Sequence, residues 1–271
     1  MTAVVGALAP PRFLGDHRPT RRRSLLLRAS VPLGLLLVWQ LSSLLGLLSP
    51  QVLAAPSEVI GAVRELAASG QLFDFLLASL RRIAIGVSIG LALGTFLGLL
   101  AGVGSLGDQL IDPTMQMYRA VPFLALVPLL LTWFGVDETF KIVLIAASAL
   151  APMYAYTYLG VRGVDRQIIE AARGYGVSGV ALIREVIAPS ALPSLLMGVR
   201  ISLSVSLTGL IAAEQIGTTE GIGYLVALAQ QYFRTDYMVL CILMYAVLGL
   251  VFDALVRVAE QRAMPWRREG R

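Results

Sequence analysis

Lysine, histidine and cysteine each occur once in this chain, and each scarcity removes a class of chemistry. A phosphate-cradling P-loop needs Gly-Lys followed by Ser or Thr, but the single lysine, Lys141, follows Phe140. The single histidine, His17, lies in a Pro- and Arg-rich stretch ahead of the first apolar run. No Ser–His–Asp set and no metal cluster can therefore be assembled in the folded region. Cys241 has no partner for an internal disulfide and reads as a small apolar residue within a hydrophobic segment. These absences exclude the common hydrolytic chemistries: the chain reads as a non-enzyme, with no cofactor or metal site of its own.

Charge is also scarce. Only 14% of residues are charged, against about 25% in a soluble domain. The formal charge of +5 could point to nucleic acid in a soluble protein, but here the basic residues stand between apolar runs. Topology explains them, and nucleic acid is not needed.

What is abundant is hydrophobic sequence, 57% of 271 residues. It divides into six runs, so the expectation is an all-α integral membrane protein with six transmembrane helices in one lipid-embedded domain over residues 25–260. Residues 1–24 read as a basic N-terminal tail and not as a signal peptide, because the following run is long and lacks a small-residue cleavage site. The expected spans are Leu25–Leu48, Leu76–Val103, Met115–Phe134, Phe140–Leu159, Leu192–Ile216 and Tyr237–Val256, with a basic tail over 261–271. Between the first two, Ser57 could cap an amphipathic helix carrying Val59, Ile60, Val63 and Leu66 on one face. A short turn, Gly104–Asp108, is expected before the third span, which Pro122 and Pro128 should bend.

The second span contains Gly86, Gly90, Gly94, Gly98 and Gly102, one every four residues. Such a stripe drifts slowly around a helix and permits close approach of another helix. Packing within the subunit and contact with a pore or a second subunit are both compatible with it.

Polar residues inside apolar spans mark candidate path positions. Ser202 with Ser206, and Ser204 with Thr208, form two polar edges on the fifth span. They could line a translocation path or hold helices together. Arg119 could attract an anion or reach toward lipid headgroups. Glu214, at the end of the fifth span, could face the path or bond to the loop that follows it. Asp253 and Arg257 are four apart and can pair.

Between the fourth and fifth spans lies a long charged insert, Val161–Ala191. It reads as a helix from Asp165 to Arg173, a break at Gly174 and Gly176, and a second helix capped by Ser178 and ending at Pro189. Within it, Glu170-Ala171-Ala172, three residues, Gly176, nine residues and Val186-Ile187-Ala188-Pro189 resemble the EAA loop of ABC importer membrane subunits. The departures are Val186 and Ala188, both mild changes in an apolar pair. Asp112-Pro113, Arg119, Pro122, Pro128 and Trp133-Phe134-Gly135 resemble a run common to nitrate, sulfonate and taurine importer permeases. Glu214-Gln215 followed by Gly221-Ile222-Gly223-Tyr224-Leu225 is similar to the same group, in which a short segment partly re-enters the membrane.

The resemblance, from about Val52 to Arg262, implies a type I ABC importer permease, with the loop serving as a coupling helix. Its expected partners are two copies of an ATPase subunit carrying ATP and Mg, a second permease subunit forming a homodimer, and an extracytoplasmic substrate-binding protein. Glu170, Ala171, Ala172, Gly174 and Gly176 would form the ATPase-docking surface: the alanines allow close approach and the glycines a sharp turn. Basic residues support a cytoplasmic placement of both termini and the loop. Six lie in the N-terminal stretch to Arg28, four in the loop and five from Arg257 onward, against five on the other side. The turn before the third span carries none. Substrates implied by the group are small anions such as sulfonates, taurine, nitrate or bicarbonate. A gradient-driven secondary transporter is the alternative, which few buried ionisable residues and no visible inverted repeat disfavour.

Overall fold

The computed structural model describes residues 21–264, with side chains from residue 30. His17, Arg267, Arg268 and Arg271, and with them most of the two expected tails, lie outside the described residues. The chain divides into two compact units, residues 1–49 and 50–271. The first contains α1 (Arg21–Leu44), which begins four residues before the expected span and contains an apolar stretch, Ser30–Leu44.

The second unit is built of helices joined by short turns. They are α2 (Pro56–Ala68), α3 (Gln71–Val103), α4 (Ser105–Ala120), α5 (Val127–Phe134), α6 (Glu138–Arg162), α7 (Arg166–Gly174), α8 (Gly179–Leu182), α9 (Ala188–Glu214), α10 (Ile222–Gln231) and α11 (Thr235–Ala263). Among the described residues, four helical runs are long and apolar enough to cross a membrane: Gln71–Val103, Glu138–Arg162, Gly179–Glu214 and Thr235–Ala263. A bent pair, Ser105–Ala120 with Phe123–Phe134, makes a fifth if it is one span.

Three expectations about elements need correction. The third span is broken and not merely bent: its halves meet at 87°. Pro122 cannot donate to the preceding turn, so the chain leaves α4 at Val121 in an extended conformation and restarts as a 3₁₀ turn, Phe123–Leu126. The expected turn Gly104–Asp108 contracts to Gly104 alone, because the helix resumes at Ser105. The second loop helix does not stop at Pro189. A π turn at Ile183–Ile187 links α8 to α9, and the helix runs on through Pro189 and Pro193. Widening the turn just ahead of Pro189 relieves the clash of its ring with the preceding carbonyls. Ser178 occupies the N-cap of α8, but its hydroxyl makes no capping bond.

On α2 the buried face is Val59, Ala62 and Leu66, while Ile60 is exposed. The helix starts at Pro56, and Glu58 Oε2 accepts from the Ala55 N–H at 2.7 Å. This face joins Phe75, Ile222, Leu225, Ala229, Tyr237, Leu240 and Leu248 in one apolar cluster, which encloses α10.

The glycine stripe of α3 faces α6 within the subunit, which decides between the two readings left open. A Cβ on Gly90 would lie 2.5 Å from the Ala146 carbonyl oxygen and 2.6 Å from the Ala149 Cβ. One on Gly94 would meet the Leu150 oxygen and the Met153 Cβ, each at 2.8 Å. Gly86, Gly98 and Gly102 meet Ile145, Thr157 and Val161 at 2.7 Å in the same way. Since the obstacles include backbone, a side chain here must push the helices apart.

Gly94→Leu is therefore expected to destabilise by at least about 3 kcal/mol, at the upper end for overpacking. Gly61→Ala, in open space on α2, should be neutral or stabilising by up to about 1 kcal/mol. Thermal unfolding of the two purified variants in detergent measures the contrast; equal midpoints would refute the seam.

Candidate functional site

Two places concentrate polar chemistry, one at each end of the spans. The first gathers around Arg82, eleven residues into α3 and only 1% exposed. All five of its N–H donors are used. Nε and Nη2 fork onto Glu138 at 2.8 Å each, and Nη1 reaches Glu214 Oε1 at 2.8 Å and the Glu220 carbonyl at 2.9 Å. The second Nη2 proton goes to Glu220 Oε1 at 3.0 Å. Glu214, fully buried, also accepts from the Ser79 hydroxyl and the Gly223 N–H, each at 2.8 Å. Ser79 Oγ in turn accepts from the Ile222 N–H at 2.8 Å, and Lys141 donates to Glu138 at 2.7 Å. Gly221 (φ +108°) makes the turn possible: a side chain there would collide with Glu214 and Arg82.

This knot ties α3, α6 and the end of α9 to the start of α10. Of the two readings of Glu214, the bond to the loop beyond it is the geometry found. The buried ionisable set also differs from the expected one. Among the described residues the buried charged side chains are Arg82, Lys141 and Glu214, whereas Arg119 is exposed and Asp253 is partly so. The missed signal is Ser79 and Arg82, three apart on one face of an otherwise apolar run. Elsewhere Arg234, the residue just ahead of α11, ties that helix to α2 by donating to Glu65 at 3.0 Å and stacking 4.0 Å above the Tyr237 ring. Arg234, and after it Tyr237, hold the Glu65 carboxyl below its ordinary range.

The two polar edges of α9 part company. Ser202 donates to the Ala149 carbonyl at 2.9 Å and Ser206 meets Ser148 at 3.3 Å, so this edge is buried against α6. Ser204 and Thr208 stay on an exposed edge, with Ser204 bonding only to the Arg200 carbonyl at 3.1 Å. Arg119 is exposed in the last turn of α4, beside the break. A ladder that the sequence did not announce clamps α4 to α6. Tyr154 donates to Asp112 at 2.9 Å, Tyr158 to Asp108 at 2.6 Å, and Arg162 pairs with Asp108.

At the opposite end, α7 is capped by Asp165, whose Oδ1 accepts from the Gln167 N–H at 2.8 Å. Ile169 and Ala172 anchor the helix on a cluster formed by Val161, Leu182, Ile187 and Ala191. About a quarter turn around, Ile168, Ala171 and Tyr175 are exposed, Tyr175 by 90%. Glu170 is exposed and pairs with Arg166 at 2.7 Å. Gly174 ends the helix and Gly176 (φ +84°) turns the chain. Of the expected docking residues, Glu170, Ala171, Gly174 and Gly176 are exposed, while Ala172 is partly buried by the anchor. Ile168 and Tyr175 were missed, although their spacing with Ala171 (i, i+3, i+7) marks one face.

A helical membrane domain whose spans carry a short, rigidly seated helix with an exposed face has the form of a transporter subunit coupled to a second protein. Residues 90–265 match the family described as binding-protein-dependent transport system inner membrane component, and the chain belongs to that family. It is an ABC importer permease, a transporter subunit and not an enzyme. The chain is 44% identical over 236 residues to SsuC of Escherichia coli (strain K12), a permease named for aliphatic sulfonate transport, covering 87% of this chain and 90% of that one. It is 34% identical over 240 residues to the taurine transport system permease TauC of the same organism, covering 87% of each. Among solved structures, an amino acid ABC transporter chain superposes with a TM-score of 0.62 at 22% identity, covering 74% of this chain and 97% of that one. A chain of the MetNI methionine ABC transporter superposes with a TM-score of 0.55 at 19% identity, covering 66% and 92%.

Truncating Arg82 to Ala should cost about 3–5 kcal/mol, because buried Glu214 loses its counter-ion. Replacing Arg82 and Glu214 together by Met should cost less than the sum of the single changes. Thermal unfolding in detergent of the singles and the double measures the coupling; strict additivity would show that the pair is not energetically linked.

Proposed function

We propose that the chain forms six spans, with α1 as the first, and that both termini and the Val161–Ala191 loop face the cytoplasm. Two copies would enclose the path, each docked on one of two ATPase subunits that carry ATP and Mg, with an extracytoplasmic binding protein delivering substrate. The observation that carries this reading is the divided surface of α7. Its inner face is anchored in a core, and its outer face, Ile168, Ala171 and Tyr175, exposes apolar area that a partner can cover. A helix seated this firmly can pass a partner's rigid-body motion to α6 and α9. Glu170, Gly174 and Gly176 flank the face, and Ala172 fixes its height.

The path is best built from the exposed edge of α9, Ser204 and Thr208, with Arg119 beside the break in the third span. Ser202, Ser206 and Glu214, fully buried, hold the frame that presents this edge. The substrate class we favour is a small organic sulfonate, taurine included. The similarity to SsuC and TauC supports it, and Arg119 supplies a positive charge that a travelling sulfonate can meet.

Two measurements test the proposal. Charge reversal at Glu170 (Glu170→Arg) should weaken capture of a co-expressed ATPase subunit about 30-fold, as for a hot-spot contact of about 2 kcal/mol. ATP turnover in lipid should fall with it, and unchanged capture would refute the docking face. In the reconstituted importer, Arg119→Gln should raise the half-saturating concentration for taurine or an alkanesulfonate about tenfold or more while leaving ATPase capture intact. That expectation rests on the loss of a charge-assisted contact of about 1.5–3 kcal/mol. An unchanged concentration dependence would remove Arg119 from the path.

A further inference from the structure

Behind the docking helix lies a cavity of about 570 Å³. Its floor is apolar: Gly102 and Val103 at the end of α3, Val161 at the end of α6, Val164, Ile169, Leu182 and Ile187. Arg162, Arg166 and Arg173 also line it. On α7, residues 166, 169 and 173 share one side, about half a turn from Ile168, Ala171 and Tyr175. The helix therefore turns its arginines to the cavity and its exposed apolar face away from it.

The state of these arginines matters. Arg162 is held by Asp108 and lies 5.7 Å from the Tyr158 ring centroid. Arg166 pairs only with Glu170, in an exposed i,i+4 contact of a kind worth little in water. Arg173 pairs with no acid among the described residues. Two guanidinium groups thus stand at the mouth of an apolar-floored cavity with their charge weakly compensated or free. The cavity also opens where two spans end: Val103, which lines it, is exposed apolar surface, and so are Leu100 and Leu159 in the last turns of α3 and α6.

We propose that this cavity is a binding site for an anionic phospholipid. Arg166 and Arg173 take the headgroup phosphate, and the acyl chains run along the exposed ends of α3 and α6. A basic pocket at the cytoplasmic ends of membrane spans fits such a headgroup, and the planar guanidinium fork matches phosphate oxygens. Free inorganic phosphate would satisfy the arginines but leave the apolar floor uncovered, so the intact lipid is the better occupant. Bound there, the lipid occupies the side of α7 that faces away from its partner. The inference rests on the cytoplasmic placement of the loop proposed above, while its own evidence is the cavity.

The test uses the purified full chain in detergent, with native mass spectrometry against added phosphatidylglycerol, phosphatidylcholine or inorganic phosphate. The expected result is retention of phosphatidylglycerol over phosphatidylcholine, with no competition from millimolar phosphate. The double variant Arg166→Gln/Arg173→Gln should lose about tenfold in that retention, and Arg166→Lys/Arg173→Lys should recover part of it. The same samples are tested for ATPase capture alongside Ala171→Trp. Loss of lipid with ATPase capture retained in the Gln variant, and the reverse in Ala171→Trp, supports two separate faces. Equal retention of the two lipids by the wild type, or retention unchanged in the Gln variant, overturns the lipid site and leaves the docking face untouched. Competition by inorganic phosphate would reassign the arginines to a free anion and also overturn it. Loss of ATPase capture without loss of lipid in the Gln variant would assign Arg166 and Arg173 to the partner interface instead.

Discussion

At the seam between α3 and α6 two helices approach until backbone touches backbone, and no residue larger than glycine fits over five successive turns. In lipid there is no hydrophobic drive to push helices together, so the attraction must come from this close contact and from polar bonds across it. The rest of the second unit is arranged around the seam. Ser202 and Ser206 dock α9 on a neighbouring face of α6, where it also meets α3, and the tyrosine–aspartate ladder clamps α4 to α6. One rigid helix, α6, is thus the shared wall, and at its far end it continues into the loop that carries α7. A displacement applied to α7 meets a stiff element and not a chain of soft joints.

The seam and the knot divide the work. The seam acts along the whole length of the helices and is insensitive to charge. The knot acts at one end only and fixes the register of α3, α6 and α9 through a fully bonded guanidinium. It also holds the start of α10, whose Ile222 and Gly223 N–H groups at the helix beginning find buried acceptors in Ser79 and Glu214. Without them a short helix entering an apolar cluster would bring unsatisfied donors with it. Within the second unit, α3, α6, α9 and the start of α10 are therefore tied into one block. Any alternation of access must be sought between such blocks or at the sharp break between Ala120 and Phe123, the one bent helix pair among the described residues.

Much of this was legible in the residues. Apolar runs located the four long apolar helices of the second unit because a membrane demands length and hydrophobicity, and both are counted directly. The loop was legible because its charge interrupts those runs and because glycine and aspartate punctuate it. The glycine period announced a close contact but not its partner, since a stripe specifies an approach distance and not a sequence address. Arg82 was hidden for a related reason. Read along the chain, it sits beside Arg81 at the edge of an apolar run and resembles a residue reaching for headgroups; only the fold brings Glu138 and Glu214 to it. The broken third span exceeded its expectation because two prolines predict a bend, while its angle depends on what packs around it. The path residues illustrate the same limit: period four sorted the serines and Thr208 correctly into two edges, but which edge faces a neighbouring helix is a tertiary fact.

The order of synthesis gives Arg82 a history. It emerges 56 residues ahead of Glu138 and 132 ahead of Glu214. At translation rates of about 5–20 residues per second, the wait for the second acid lasts roughly 7–26 seconds. Until Glu138 follows, α3 carries an uncompensated cation among apolar neighbours, a position that a lipid-facing helix tolerates poorly, and the buried partner Glu214 comes later still. The nascent chain must therefore keep this helix near water or headgroups, or beside the insertion machinery, until α6 and α9 arrive. The charge knot can therefore close only late in synthesis, and a chain interrupted before Glu138 would leave Arg82 without either of its two nearest acids.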